Sequence, residues 1–250
     1  ALAETTWDGA ALALFVTLGG FGAFDTLVRT LTNGAPGRIQ GVVFFAVVSL
    51  FFAILTVPFR LYGQFVIENR FGFNRMTLRL WLRDRLVTLI LTVLIGAPIL
   101  YVVLVFMEAT GALWWIWAAG FVLVILVFLQ FLYPLLIAPL FNKFTPLENA
   151  PLRDAVHALA DRAGFALQGV YQMDASRRSS HGNAYFTGRG NNKRIVFFDT
   201  LLKTLNEDQI EAVLAHELGH FRRRHVIKNM VVLAGLSLAG LALLGWLSAQ

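Results

Sequence analysis

Apolar residues in this chain arrive in long runs, with polar residues gathered into blocks between them. Five runs, at roughly 10–30, 40–60, 86–107, 112–140 and 229–250, are long enough to cross a ~30 Å hydrocarbon core, which takes about 20 helical residues. Each is predicted to be a membrane helix. The first carries Asp25, the second closes on Pro58 and Arg60, and the third holds Pro98. The fourth is overlong and ends in QFLYPLLIAPLF, where Pro134 and Pro139 should kink or stop it and leave a tilted or re-entrant end.

The block at 141–228 has a different pattern. LENAPLRDAVHALADRAGF places Leu152, Val156, Leu159 and Ala163 at helical spacing, with Gly164 as the stop. GVYQMD, NAYFTG and KRIVFFDTLL read as three β-rich runs, the last two joined by a turn in GRGNNK. LNEDQIEAVLAHELGHFRRRH reads as a helix over 206–225. Asn206 and Gln209 form a capping box there, Glu207 and Asp208 sit at the favourable end of the dipole, and Arg222 to Arg224 sit at the other. The pattern therefore predicts a mainly α, multi-pass transmembrane helical bundle. Residues 1–140 give four membrane helices with a basic loop at 61–85, residues 141–228 an insert with a small β-sheet, and residues 229–250 a fifth membrane helix.

Composition agrees: 57% of residues are hydrophobic and 14% charged, outside the range of an ordinary soluble domain. The net charge of +6 invites a nucleic-acid reading, but the arginines from Arg60 to Arg85 lie between two apolar runs, where the positive-inside rule puts them. Nucleic acid is therefore not an expected partner; the lipid bilayer is. The loop near Glu108 has no basic residue, whereas 61–85 and 141–228 are basic, so both basic regions and the N-terminal tail are expected on the cytoplasmic side. That leaves Arg29 and Arg38 on the opposite side, against the rule. With no cysteine, disulfides and thiolate ligands are excluded, and a metal here must be held by nitrogen and oxygen. The chain lacks an initiator Met and ends within an apolar run, so both ends read as cut.

VLAHELGHFRRRH carries the chemistry. On a helix, His216 and His220 lie one turn apart on one face and can chelate a single Zn²⁺, one per chain, through imidazole nitrogens. Glu217 sits beside that site without ligating, placed to take a proton from water and pass it to a leaving amine. The small apolar neighbours make two unpartnered surface histidines a costly alternative. His225 falls on the opposite side of a regular helix and suits a solvent or dipole role. A catalytic zinc takes three protein ligands, and no Asp or Glu follows Glu217.

FVIENRFGFNRMTLRLWLRD, YPLLIAPLFNKFTPLENAPLRDAVHALADRAGF, SRRSSHGNAYFTG, KRIVFFDTLL and EAVLAHELGHFRRRHVIKN together resemble the integral-membrane zinc CAAX prenyl endopeptidases, the a-factor- and prelamin-processing type. The resemblance implies seven membrane helices around a water-filled chamber, with 141–228 as a zincin-like catalytic insert facing inward. The five crossings here would be the second to sixth. It gives His216 and His220 as zinc ligands, Glu217 as the general base, and a third ligand that is a Glu beyond residue 250, so this chain alone is expected to be inactive.

HGNAYF resembles the segment lining that family's cleft, which makes Asn183, Ala184 and Tyr185 candidates for substrate contact. An exposed strand edge can bind an extended peptide through its backbone. For the side chains, a turn at Asn183 and packing of Tyr185 stay open, and His181 reads as structural. The implied reaction is hydrolysis of a peptide bond near a prenylated C-terminus, releasing the last three residues of a prenylated or otherwise membrane-associated substrate. A prenyl chain carries such a substrate into the bilayer, since each buried methylene contributes about 0.8 kcal/mol. Water must then be brought to the bond inside a protein-lined cavity, and Asp25, Arg60 and Gln130 fit its walls or helix-to-helix bonds. The Ala-, Arg- and Leu-rich composition favours a bacterial inner membrane, with endoplasmic reticulum or nuclear membrane if eukaryotic. The competing readings are a heat-shock-type quality-control protease, indifferent to lipid, and a non-catalytic scaffold that would not need Glu217.

Overall fold

The computed structural model describes residues 2–162, 164–165, 167–187, 193–222 and 225–248. It divides into two compact units. The first comprises Ala1–Phe71, Arg85–Ala118 and Leu244–Gln250, and the second Gly72–Asp84 and Ala119–Leu243. Among the described residues, four helices are long and apolar enough to cross a membrane, five if one bent pair counts as a single span. The chain is an integral multi-pass membrane protein.

The first unit begins with α1 (Leu2–Thr17) and α2 (Gly20–Leu31). The expected straight crossing at 10–30 is in fact broken, bending by 71° between them. Gly19 takes a left-handed φ of 72°, and a Cβ on Gly20 would lie 2.5 Å from the Phe15 ring, so both glycines are required. Phe15 is buried among the rings of Phe21, Phe24, Phe51 and Phe52, with centroids 5.0–5.5 Å away. Three long helices follow: α3 (Gly37–Arg70), α4 (Leu78–Ala109) and α5 (Gly111–Phe141). They outrun the apolar runs at both ends of the basic loop: residues 78–85 are mostly Leu and Arg, good helix formers, and α3 continues through a π-helical segment at Gly63–Ile67. The non-helical connection between α3 and α4 is only 71–77.

Prolines widen these helices rather than ending them. The π-helical segments Thr92–Gly96 and Tyr133–Ile137 each stop two residues before a proline, Pro98 and Pro139. The carbonyl four residues before each proline, on Leu94 and Leu135, loses its donor and meets the ring, and the wider turn relieves the clash. The helix therefore continues to Phe141. The two arginines that broke the positive-inside pattern have carboxylate partners: Arg29 Nε is 2.8 Å from Asp25, and Arg38 Nε is 3.6 Å from Glu108.

The second unit carries the sheet. Its elements are β1 (Phe144–Pro146), α6 (Ala150–Arg162), β2 (Leu167–Met173), β3 (Ala184–Thr187), β4 (Lys193–Phe198), α7 (Asp199–Thr204), α8 (Glu207–Arg222) and α9 (His225–Ser248), which runs on into the first unit. The strand order is β1-β2-β4-β3, with β2 and β4 parallel and both edge pairs antiparallel. β1 was not expected, and the run KRIVFFDTLL leaves the sheet at Phe198 to form α7. Along β4 the side chains alternate. Ile195 and Phe197 join Leu152, Val156, Leu201, Ile210 and Leu214 in the core beneath α6, α7 and α8, while Val196 packs with Met173 and Ala175 on the other face.

α6 starts where Asn149 Oδ1 accepts the Leu152 N–H, and stops where Gly164 turns left-handed and the Phe165 N–H reaches the Ala160 carbonyl. Ala163, and residues 188–192 of the expected β3–β4 turn, lie outside the described residues.

Candidate active site

α8 begins at a reciprocal cap. The Gln209 N–H donates to Asn206 Oδ1 at 2.9 Å, and the Asn206 N–H donates to Gln209 Oε1 at 3.0 Å. Ile210 and Leu214 bury one face of the helix, and α8 packs against α6 and β3. Because the helix is continuous from Glu207 to Arg222, positions 216 and 220 fall one turn apart on a common face. His216 is exposed; the side chains of Glu217 and His220 lie outside the described residues. Of the expected helix over 206–225, Glu207–Arg222 is described as helix; 223–224 lie outside the described residues, and His225 opens α9. Among the described residues no three His, Asp or Glu groups converge on a metal site. The sequence puts two imidazoles at helical i,i+4 spacing on α8, a nitrogen-donor pair that fits zinc.

Beside α8 lies the sheet edge. β3 pairs with β4 alone among the described strands. The Phe198 N–H donates to the Asn183 carbonyl at 2.9 Å, so the peptide groups of residues 183, 185 and 187 turn toward β4, and those of Ala184 and Phe186 turn to the open edge. Asn183 is exposed, and its Oδ1 accepts the Ala184 N–H at 2.9 Å. The Ala184 methyl is sealed in the core, so only its backbone can meet a ligand. The Tyr185 ring lies half-buried on the other face, edge-on to Phe198 at 6.3 Å. Burial, helped by the nearby Tyr133 phenol, pushes the Tyr185 hydroxyl up to about 12, so it stays neutral at physiological pH.

The segment leading into β3 is pinned residue by residue. The Asp199 carboxylate is buried and accepts from both the N–H and the hydroxyl of Ser176, with Lys203 Nζ at 3.4 Å. Burial alone would raise this carboxyl, but the Ser176 and Lys203 contacts outweigh it and hold its pKa below the usual carboxylate range. Arg178 donates from Nε and Nη2 to the two Asp84 oxygens at 2.9 and 3.1 Å, from Nη1 to Asn142 Oδ1 at 2.9 Å, and from Nη2 to the Phe141 carbonyl at 2.6 Å. The backbone of 178–180 runs against 73–75: the Arg75 N–H donates to the Arg178 carbonyl, and the Ser180 N–H to the Phe73 carbonyl. His181 stacks on Phe73 at 4.3 Å and its carbonyl accepts from Thr200 Oγ1, in keeping with a structural role. Sequence spacing gave no sign of the Arg178–Asp84 pair, whose members are 94 residues apart.

Two family models match successive parts of the chain. Residues 1–143 match the family model described as CAAX prenyl protease N-terminal, five membrane helices, and residues 146–250 match peptidase family M48. CAAX prenyl protease 1 of Saccharomyces cerevisiae is 44% identical over 200 residues, covering 79% of this chain and 44% of the relative. The CAAX prenyl protease 1 homolog of Homo sapiens is 35% identical over 230 residues, covering 77% and 48%. The crystal structure of S. mikatae Ste24p superposes with a TM-score of 0.89 at 35% identity, covering 94% of this chain and 56% of that one. The chain thus spans about half the length of the relatives it matches.

Proposed function

Since this chain belongs to peptidase family M48, in its CAAX prenyl protease branch, we propose that it is the site-bearing part of a membrane-embedded zinc endopeptidase that cuts near the prenylated C-terminus of its substrate and releases the last three residues. The observation that carries this reading is the packing of α8, the helix of H-E-x-x-H, against edge strand β3. The family implies a metal cofactor; zinc is the ion that suits His216 and His220.

When bound, zinc supplies a Lewis acid that polarises a carbonyl and acidifies water. Glu217 takes the proton as a water oxygen attacks the scissile carbonyl carbon, and returns it to the amine nitrogen as the C–N bond breaks. The open-edge peptide groups of Ala184 and Phe186 hold the substrate as an added strand, and Asn183 gives up its bond to the Ala184 N–H to reach the substrate backbone. The basic segment 61–85 and the sheet lie on the cytoplasmic side, where the lipidated end of a protein meets the inner leaflet.

Cleavage of a farnesylated CAAX peptide and its unlipidated twin by the protein extended through the next two helices, read by mass spectrometry with Glu217→Gln as control, tests this. Loss of the last three residues from the lipidated peptide alone, absent in the control, is expected. Equal cutting of both peptides points instead to a lipid-indifferent protease, and cleavage that survives Glu217→Gln contradicts the mechanism.

A further inference from the structure

We infer that Arg178 is a positioning residue: it locks the segment leading into β3 to the ends of the membrane helices, and so helps to select which peptide bond of a membrane-anchored substrate is cut. This rests on the peptidase reading above. The guanidinium gathers three points of the second unit. Asp84 lies in the second turn of α4, the Phe141 carbonyl ends α5, and Asn142 follows it. Arg83 adds a bond to the Leu140 carbonyl at 3.0 Å, so two cations cap the C-terminal end of α5, where the helix dipole favours them. The Arg178 and Asp84 side chains are only 18% and 14% exposed, which sets this pair apart from a loose surface bridge. A lysine could not replace the planar fork, because one ammonium cannot serve both Asp84 oxygens, Asn142 and a carbonyl together.

Between Arg178 and Ala184 the chain has no slack. Arg178 and Ser180 bond to 73–75, the His181 carbonyl to Thr200, and the Asn183 carbonyl to Phe198. Six residues span at most about 20 Å, so displacement at Arg178 is passed to β3 rather than absorbed. A prenyl group held in the bilayer fixes one end of the substrate, and β3 fixes the bond presented to Glu217. Each residue of an added strand advances about 3.3 Å, so the offset between membrane ends and strand edge chooses the bond.

The test uses Arg178→Lys and Asp84→Asn in the protein extended through the next two helices, reconstituted in lipid nanodiscs, with two readouts. Hydrogen exchange of 179–187 is expected to rise about tenfold in both variants, with α6 unchanged, as for a local opening. In a series of farnesylated peptides with two, three or four residues after the prenylated cysteine, the wild type is expected to cut at one bond, directly after that cysteine. The variants are expected to give a mixture of adjacent cuts, with KM raised more than kcat falls. Unchanged exchange at 179–187 overturns the inference, as does α6 exchange rising in step with it, since Arg178 would then hold the whole fold. A single unchanged cut overturns the bond selection. If the wild type cuts nothing, the peptidase reading fails, while the exchange result still decides whether Arg178 positions the strand.

Discussion

The first unit and the sheet-bearing unit use apolar side chains in opposite ways. Along α2 to α4, large residues such as Leu31, Leu94 and Ile54 point outward, and few side chains are sealed inside. Under the sheet, Phe197, Ile195, Leu214 and Val156 are fully enclosed. In water, enclosure is the driving force. In lipid, the surroundings are as apolar as the side chains, so helices are held by close approach and by rings and polar pairs that fit. The glycines mark such approaches: a Cβ on Gly41 would meet Leu104 at 2.8 Å, and one on Gly245 would meet Trp115 at 2.5 Å. The same chain therefore needs two stability arguments, one from burial and one from contact distance.

Substitutions that separate the two arguments sharpen the contrast. Phe197→Ala removes the centre of the sheet core and should destabilise that unit by about 3–5 kcal/mol, seen as early proteolysis of 141–222. The same change at an exposed membrane residue such as Leu94 should leave proteolysis unchanged. Gly245→Ala forces a methyl into the Trp115 contact and should cost about 1–3 kcal/mol in a detergent-resistance assay, although it adds apolar surface. If Gly245→Ala stabilises, contact distance is not what holds that helix. Asn206→Ala removes the cap of α8 and should cost about 1 kcal/mol, read as faster hydrogen exchange in 207–211.

The smallest expected effect is on pH dependence. The Asp199 pKa is lower in the fold than in the unfolded chain, so its contribution is present above the unfolded value, about 3.9, and is lost as pH falls through the folded one. Asp199→Asn should therefore flatten the acid limb of thermal stability below about pH 4 and leave its shape unchanged at neutral pH. An acid limb as steep as that of the wild type would assign acid unfolding to other carboxylates.

Where one residue type or one local period decides an element, the sequence is readable. The apolar runs of α3, α4, α5 and α9, the Asn206–Gln209 cap and the Gly164 stop are of that kind. Features decided by partners far along the chain are not. The break between α1 and α2 hides in an apolar LGG, because hydropathy does not record the φ of Gly19. β1 is three residues ending in proline and exists only through its pairing with β2. Arg178 reads as one basic residue among several until folding brings Asp84 and the end of α5 to it. In the candidate site, the helix was legible as i,i+4 chemistry and the edge strand as NAYF. That only the backbone of Ala184 is open, with its methyl in the core, required the fold.

The central proposal is a zinc ion held by His216 and His220 on α8. Zinc titration against a chromophoric chelator, on the wild type, His216→Ala, His220→Ala and His157→Ala, tests it most directly. The predicted result is one zinc per wild-type chain, with affinity weakened about a hundredfold or more by either α8 change and unaffected by His157→Ala on α6. Equal affinity in all four proteins would contradict it.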